Sequence, residues 1–406
     1  MPANGFATRP AHRSYDVVIV GGAIMGSSLA WFLTEQGFDG RILVLDRDPS
    51  YAQASTTHTN SCMRQQFSTE LNIKISQYTA DFVKNFRERM GGGAEFPDLS
   101  IQSFGYLYLA DNEEFAATLR QNAEVQRAAG AKTELLSRDE IAARYPFYHL
   151  DDILLGSINR VDEGYFDGAA LFDGWRRQAR ARGVEYVAGD VVAIARNETG
   201  TQVESVTLKT GEVIACGTLV NASGPRAART AAMARIDVPI EPRKRFTYVF
   251  KAATPLDRDL PLTIDPSGVH VRENGGGTYM CGARGTDDPA VAFDDFEMDH
   301  GLWESCIWPM LATRIPQFEA IRVQSEWAGH YAMNVFDRNA IIGPHPEVGN
   351  FIFINGFSGH GLQQSPAMGR AVAEWITLGA YRSLDMTPFA FDRIVRQARM
   401  RERAVI

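Results

Sequence analysis

The chain has 406 residues, 45% of them apolar and 22% charged, which excludes a disordered or fibrous protein and leaves room for two or three domains. Lys and Arg total 41 against 49 Asp and Glu, a formal net charge of −8 that argues against general nucleic-acid binding. No stretch approaches the ~20 apolar residues of a membrane span, and the four cysteines (Cys62, Cys216, Cys281, Cys306) are scattered without a CxxC, as expected of a reducing, cytoplasmic compartment without a disulfide framework or a metal site.

Residues 1–13 carry Arg and His but no apolar run, so they read as a disordered lead-in rather than a secretory signal. Tyr15 to Val20 is a short, almost unbroken run of β-branched residues, suited to a parallel strand covered on both faces. Gly21-Gly22-Ala23-Ile24-Met25-Gly26 follows, then a helical pattern over Ser27–Gln36 with Gly37 as its stop. A second strand, Arg41–Leu45, ends at Asp46, with Arg47 beside it. Strand, glycine turn, helix, strand and acid together form a dinucleotide fingerprint. The helix N-terminus offers free N–H groups and a positive dipole end to a pyrophosphate, and Asp46 can accept from ribose hydroxyls. Ala23 replaces the middle glycine of the pattern, so a slightly longer approach of the phosphates is expected. An NAD domain would continue its βα alternation after the acid. Here Ala54-Ser55-Thr56-Thr57-His58-Thr59-Asn60-Ser61 follows instead, whose small and hydroxyl residues could hold the pyrophosphate and ribityl chain of FAD.

Further on, helices are expected over 67–90, 112–129 and 168–182, and over a short segment opened by the capping box Ser137-x-x-Glu140. Strands are expected over 103–110, 184–194, 238–250, 261–273 and 278–282, and a helix over 296–314. Phe351–Asn355 is a buried-type strand that runs into Gly356-Phe357-Ser358-Gly359-His360-Gly361. Pro366 then sits near the start of a helix reaching Leu378, with Gly379 after it. Such a loop can supply N–H donors and a dipole end to the anionic side of a reduced flavin, which makes Gly359, His360, Gly361, Leu362 and Gln363 cofactor candidates. The spacing of Arg393, Arg396, Arg399, Arg401 and Arg403 predicts a basic helix, solvated or able to dock an acidic partner.

Asp16–Asp46, Ser55–Phe67, Leu219–Pro225 and Asn355–Gly369 as a set resemble the D-amino-acid oxidase superfamily of FAD flavoproteins, in particular its glycine/sarcosine oxidase branch. Tyr51–Thr56 and Arg64–Ser68 also resemble mitochondrial FAD-dependent oxidoreductase domain proteins linked to complex I assembly. The resemblance runs from about Ser14 to the C-terminus. It implies an α/β fold in which a discontinuous Rossmann-like FAD domain (14–90, 151–236 and 326–406) carries an inserted α+β substrate domain on a mixed or antiparallel sheet (91–150 and 237–325). It also implies oxidation of an amino acid, most simply a secondary amine, by hydride transfer to flavin N5. The electron acceptor would be oxygen, a redox protein or a quinone. A 2-hydroxy-acid dehydrogenase, or an FAD-holding assembly or docking protein without catalysis, stands as the alternative.

The resemblance extends the set of cofactor contacts to Ser55, Thr56, Thr57, His58, Asn60, Ser61, the backbone of Val191, Ala222, Ser223, Gly224 and Gly329. It places Arg64 on the family's carboxylate-binding arginine, a role that suits the bidentate guanidinium fork. Two departures follow: the family's second carboxylate ligand, a lysine, is Gln363 here, and another motif arginine is Ser61. The oxygen-activating lysine has no counterpart; Arg284 is the basic residue nearby. The flavin-anchoring cysteine falls near Gly329, so non-covalent FAD is expected, with a covalent link at His58 as the lesser alternative. His330, Tyr106, Tyr248 and Arg245 are further substrate-site candidates by position.

Overall fold

Residues 5–285 and 287–403 are described in a computed structural model. The β-branched run forms the strand Ser14–Val20, paired in parallel with Ile42–Asp46 on one side and Val213–Asn221 on the other. Glu185–Ala188 and Phe351–Asn355 extend the parallel sheet outward, and Ile341–Pro344 closes one edge antiparallel. Val17 and Ile19 pack beneath the helices Ile24–Glu35, Gly168–Ala181 and Gly361–Leu378, whereas Val18 and Val20 face a layer built on the ribbon Val191–Arg196/Val203–Leu208. Burial on both faces accounts for the lack of polar alternation in this strand.

A second sheet lies in the order 321–334, 240–252, 278–284, 270–275, 262–264, 106–110, 155–159, 134–137, antiparallel except between 262–264 and 106–110. One face buries Tyr248, Phe250 and Tyr279 against Ile307, Leu311 and Phe318. The other faces the first unit. The chain is thus an α/β FAD-type fold with a sheet-rich second unit threaded through it.

Several boundaries shift. The strand Leu155–Asn159, expected in the first unit, pairs with Tyr106–Ala110 and Glu134–Ser137, so the second unit extends beyond residue 150. Its Gly156 and Ser157 dilute the strand signal. Residues 5–13 are not a disordered lead-in: Phe6 is buried edge-on against Tyr186 (centroids 5.5 Å), and Ala7 hydrogen-bonds Tyr186 O and Ala188 N. Residues 1–4 lie outside the described residues. The helix over 67–90 resolves into Glu70–Lys84 and Phe86–Arg89, and the strand over 261–273 into a hairpin turning between Ile264 and His270. The helix expected from Phe296 begins only at His300, which frees Phe296 for the cleft described below.

The basic C-terminal helix is not formed beyond the turn Asp392–Val395. Arg393 is buried in a bidentate pair with Asp337 (2.7 and 3.0 Å), Arg399 lies over the Phe336 ring (5.2 Å), and Glu402 accepts from Ser68 N–H (2.7 Å). A buried carboxylate and an aromatic ring pin this tail in an extended path, where charge spacing alone predicted a helix.

Candidate functional site

A cleft of ≈ 2130 Å³, counting its open mouth, runs between the two units. One end is built by the first strand–turn–helix. Gly21 takes a φ of +101°, and a Cβ there would lie 2.4 Å from Ala222 O. A Cβ on Gly26 would lie 1.9 Å from Gly21 O, so two glycines are required for the turn to sit against the neighbouring strand. Helix Ile24–Glu35 has no side-chain cap at Ala23, which leaves its first N–H groups and positive dipole end to the cleft. Ile24 N–H is contacted by Thr56 Oγ1 at 3.3 Å. Asp46 accepts from Gly22 N–H (2.8 Å) and Asp48 N–H (2.9 Å), and burial pushes its carboxyl up to about 6. Val191 and Ala222–Gly224 line the same end, with Arg47 at its rim held by Gln53 (3.0 Å).

The hydroxyl-rich segment divides in two. Ser55, Thr56, His58 and Asn60 line the cleft; Thr57 and Ser61 do not. Thr57 Oγ1 donates within its own turn, to Tyr51 O or Ala54 O (2.8 Å each), and Ser61 sits at φ +49° as the chain bends towards Cys62. Gly22 and Gly26 are likewise structural, shaping the turn from outside the cleft. Ser55 Oγ donates to His330 O (2.5 Å), which ties this segment to the long strand Ile321–Asn334.

At the other end Arg64 is 2% exposed. Its guanidinium lies 4.2 Å from the Phe67 ring centroid, donates to Gln66 O (3.1 Å) and reaches His360 Nε2 (2.9 Å). Burial, and then the Arg64 charge, hold His360 well below its ordinary value, so the imidazole is neutral and its Nε2 accepts. Gln363 Oε1 accepts from Arg64 N–H (2.7 Å), so the glutamine in the lysine position fixes the backbone that carries the arginine. Beside it, buried Glu163 accepts from Gln65 N–H (2.6 Å), Gln66 Nε2 (2.9 Å) and Asn159 Nδ2 (3.0 Å); burial pushes its carboxyl up to about 7. The Gly359–Gly361 turn closes this end: Gly359 has φ +95°, and a Cβ there would strike the Tyr331 ring at 2.4 Å. Helix Gly361–Leu378 then starts with no side-chain cap at His360.

The sequence profile of FAD-dependent oxidoreductases matches residues 16–375, across both ends of this cleft. The chain belongs to that family. FAD-dependent oxidoreductase domain-containing protein 1 of Xenopus laevis is 36% identical over 423 residues, covering 96% of this chain and 85% of the relative. Glycine oxidase of Geobacillus kaustophilus (strain HTA426) is 24% identical, covering 94% and 97%. The crystal structure of L-proline dehydrogenase from P. horikoshii superposes with a TM-score of 0.81 at 25% identity, covering 95% of this chain and 98% of that one. The protein is an FAD-dependent oxidoreductase.

The residues present fit FAD. Asp46 would take a ribose, the uncapped turn Ala23–Met25 with Ser55 and Thr56 the pyrophosphate, and the Gly359–Gln363 loop the flavin. A side chain at position 329 would press on His58 Cβ at 2.7 Å, so the place of the family's anchoring cysteine has room only for hydrogen. His58 itself hydrogen-bonds Ala54 O through Nδ1 (3.0 Å) and stacks on Phe296 (6.1 Å between centroids).

Three positional candidates prove to be held by the fold. Tyr248 is fully buried in the core behind the second sheet, tilted against Trp303 at 5.0 Å, and does not line the cleft. Strand alternation turns it away from its neighbour Thr247, which does. Arg245 lines the cleft but is bound bidentately by Asp288 (2.5 and 3.1 Å) and stacked on Tyr331 (4.5 Å). His330 is stacked on Phe296 at 4.1 Å with Nε2 on Asp295 O (2.7 Å), and burial lowers its pKa; this suits a wall rather than a proton carrier. Tyr106 does line the cleft, with burial raising its hydroxyl pKa. Thr247, His270, Phe293, Phe296 and Tyr331 line it as well, without a sequence signal beyond their strand or loop positions.

Proposed function

We propose that this flavoprotein oxidises an amino acid at the carbon next to nitrogen, with a secondary amine as the preferred nitrogen. FAD, when bound, supplies the two-electron acceptor for the hydride at its N5. The chain itself must bind the carboxylate, orient the C–H bond and keep water from the reacting carbon. Arg64 carries the reading: a buried guanidinium at the inner end of the cleft, directed by Gln363 and a neutral His360, suits a carboxylate. Burial holds the nearby Tyr106 hydroxyl protonated, and His360 is neutral, so neither adds a competing charge. The imine formed leaves and hydrolyses in water. By their names glycine oxidase and L-proline dehydrogenase act on amino acids, and proline's nitrogen is secondary, which supports the choice of substrate.

FAD is held without a covalent bond in this reading. Acid precipitation should therefore release the yellow cofactor into the supernatant; flavin retained in the pellet would place a bond to the chain. The activity is tested by anaerobic flavin reduction with N-alkyl amino acids, D-amino acids and 2-hydroxy acids. Bleaching by N-alkyl amino acids is expected. Bleaching by hydroxy acids alone would make the protein a hydroxy-acid dehydrogenase. No bleaching by any of them would leave an FAD-holding assembly or docking role.

A further inference from the structure

Three arginines surround the substrate end of the cleft. Arg64 lies at its inner end, and Arg245 is neutralised by Asp288. Arg272 differs from both. It is 4% exposed, and among the described residues no carboxylate lies within ion-pair distance of it, although the half-buried Glu273 carboxyl feels its charge. Nη1 donates to Glu273 O (2.6 Å) and Asn274 Oδ1 (3.3 Å), Nη2 reaches Met280 Sδ (3.4 Å), and Nε–H has no partner among the described residues. The guanidinium lies 5.2 Å from the Tyr165 ring centroid. A buried cation without a directly paired counter-ion is costly, and a further anion nearby lowers that cost.

Arg272 stands immediately behind the cleft wall. It is two residues from His270 on one strand, so both side chains project from the same face, and His270 lines the cleft. His270 is held at about 4, by burial first and then by the charges of Arg245 and Arg272. Cys62 and Tyr106 also line the cleft; the Arg272 charge acts on the Cys62 thiol and the Arg64 charge on the Tyr106 hydroxyl. The wall formed by Tyr106, Cys62 and His270 therefore lies between the fields of two arginines. Among the described residues, the acids lining the cleft are Asp46, Asp48 and Asp190, all at the dinucleotide end. Among the described residues, no carboxylate lines the substrate end to attract a cationic side chain.

We infer that the substrate carries a second anionic group, a carboxylate on its side chain or its N-substituent, placed against the Cys62–His270 wall in the field of Arg272. This rests on the amino-acid reading above, with Arg64 taking the α-carboxylate. Arg272 is then a positioning residue for specificity, acting across the wall.

The test compares the holoenzyme's kcat/KM for N-(carboxymethyl) or acidic amino acids with that for monocarboxylic ones. The diacid should be preferred by about tenfold or more, Arg272→Met should lower that ratio by about tenfold, and Arg272→Lys should keep most of it. A purely structural arginine would lower both values together and leave the ratio intact, which would overturn the inference. So would a wild-type ratio of one or less. If no amino acid bleaches the flavin, the reading above fails on its own. The inference is then decided by the flavin spectrum of the wild type and Arg272→Lys titrated with succinate and propionate. Tighter succinate binding supports it, and equal or weaker binding refutes it.

Discussion

The two ends of the cleft are built on different principles. The dinucleotide end is made of backbone: Gly21, the uncapped turn at Ala23 and the Gly22 N–H bound by Asp46 come from two adjacent strands and the helix between them. The substrate end is made of side chains brought from far apart. Arg64, Tyr106, Thr247, His270 and Gln363 belong to five separate segments, and their charge states depend on which neighbours the fold supplies. On the proposed placement of FAD and substrate, local backbone geometry would decide whether the cofactor binds, and tertiary electrostatics what it meets.

The largest effect should come from breaking the backbone end. In Gly26→Val the added side chain would drive against Gly21 O, 1.9 Å from the site of its Cβ, and displace the turn. The purified variant should be colourless, with flavin content below about a tenth of wild type. Near-normal flavin content would show that the turn can move, and that the cradle is less dependent on glycine than its geometry implies.

At the other end, Arg64→Ala should leave the protein yellow. It removes a buried charge-assisted contact, worth about 2–5 kcal/mol, so KM for carboxylate substrates should rise by about 100-fold, with a much smaller change in kcat. Loss of flavin together with the KM effect would merge the two ends that the structure separates.

The same division explains what was legible beforehand. The fingerprint from Tyr15 to Asp46 could be read because its function lies in spacing and in glycines that only a turn requires. Family register singled out Arg64 and Gly359–Gln363, which the fold brings to one end of the same cleft, but not the contact in which Gln363 Oε1 accepts from the Arg64 backbone N–H. Arg245, Arg393 and Tyr248 show the limit. Residue type and strand position do not reveal that Asp288 and Asp337 neutralise two arginines, or that alternation buries the tyrosine on the far face. Glu163 and His270 matter through burial, which no local pattern encodes.

Glu163 gives the comparison a pH axis. Burial raises its carboxyl from 4.5 to about 7, so it is neutral below that pH and becomes an anion near Arg64 above it. With the substrate carboxylate on Arg64 as proposed, the anion would compete with it for the guanidinium. KM should therefore rise between pH 6 and pH 8, on the order of tenfold, and Glu163→Gln should flatten that rise. Folding stability follows the same sign. The contribution of the neutral carboxyl is full below its unfolded value near 4.5 and is lost as pH rises through about 7. A KM profile unchanged by Glu163→Gln would place the titration elsewhere.

The smallest effect belongs to Tyr248→Phe. Tyr248 occupies the sheet next to Thr247 and Arg245, both at the cleft, yet its ring packs in the core behind them and its hydroxyl makes a single long bond to Asp299 O (3.3 Å). Phenylalanine keeps the ring and its contacts and loses only that bond, so the variant should lose no more than about 1 kcal/mol of stability. Flavin content and KM should match wild type, because Asp299 lies on the outer side of the sheet and no cleft residue depends on the hydroxyl. A change in KM greater than about threefold would exceed what that lost bond can account for. It would mean that the back of the sheet sets the position of Thr247 and Arg245, and that the substrate end is tuned by packing as well as by charge.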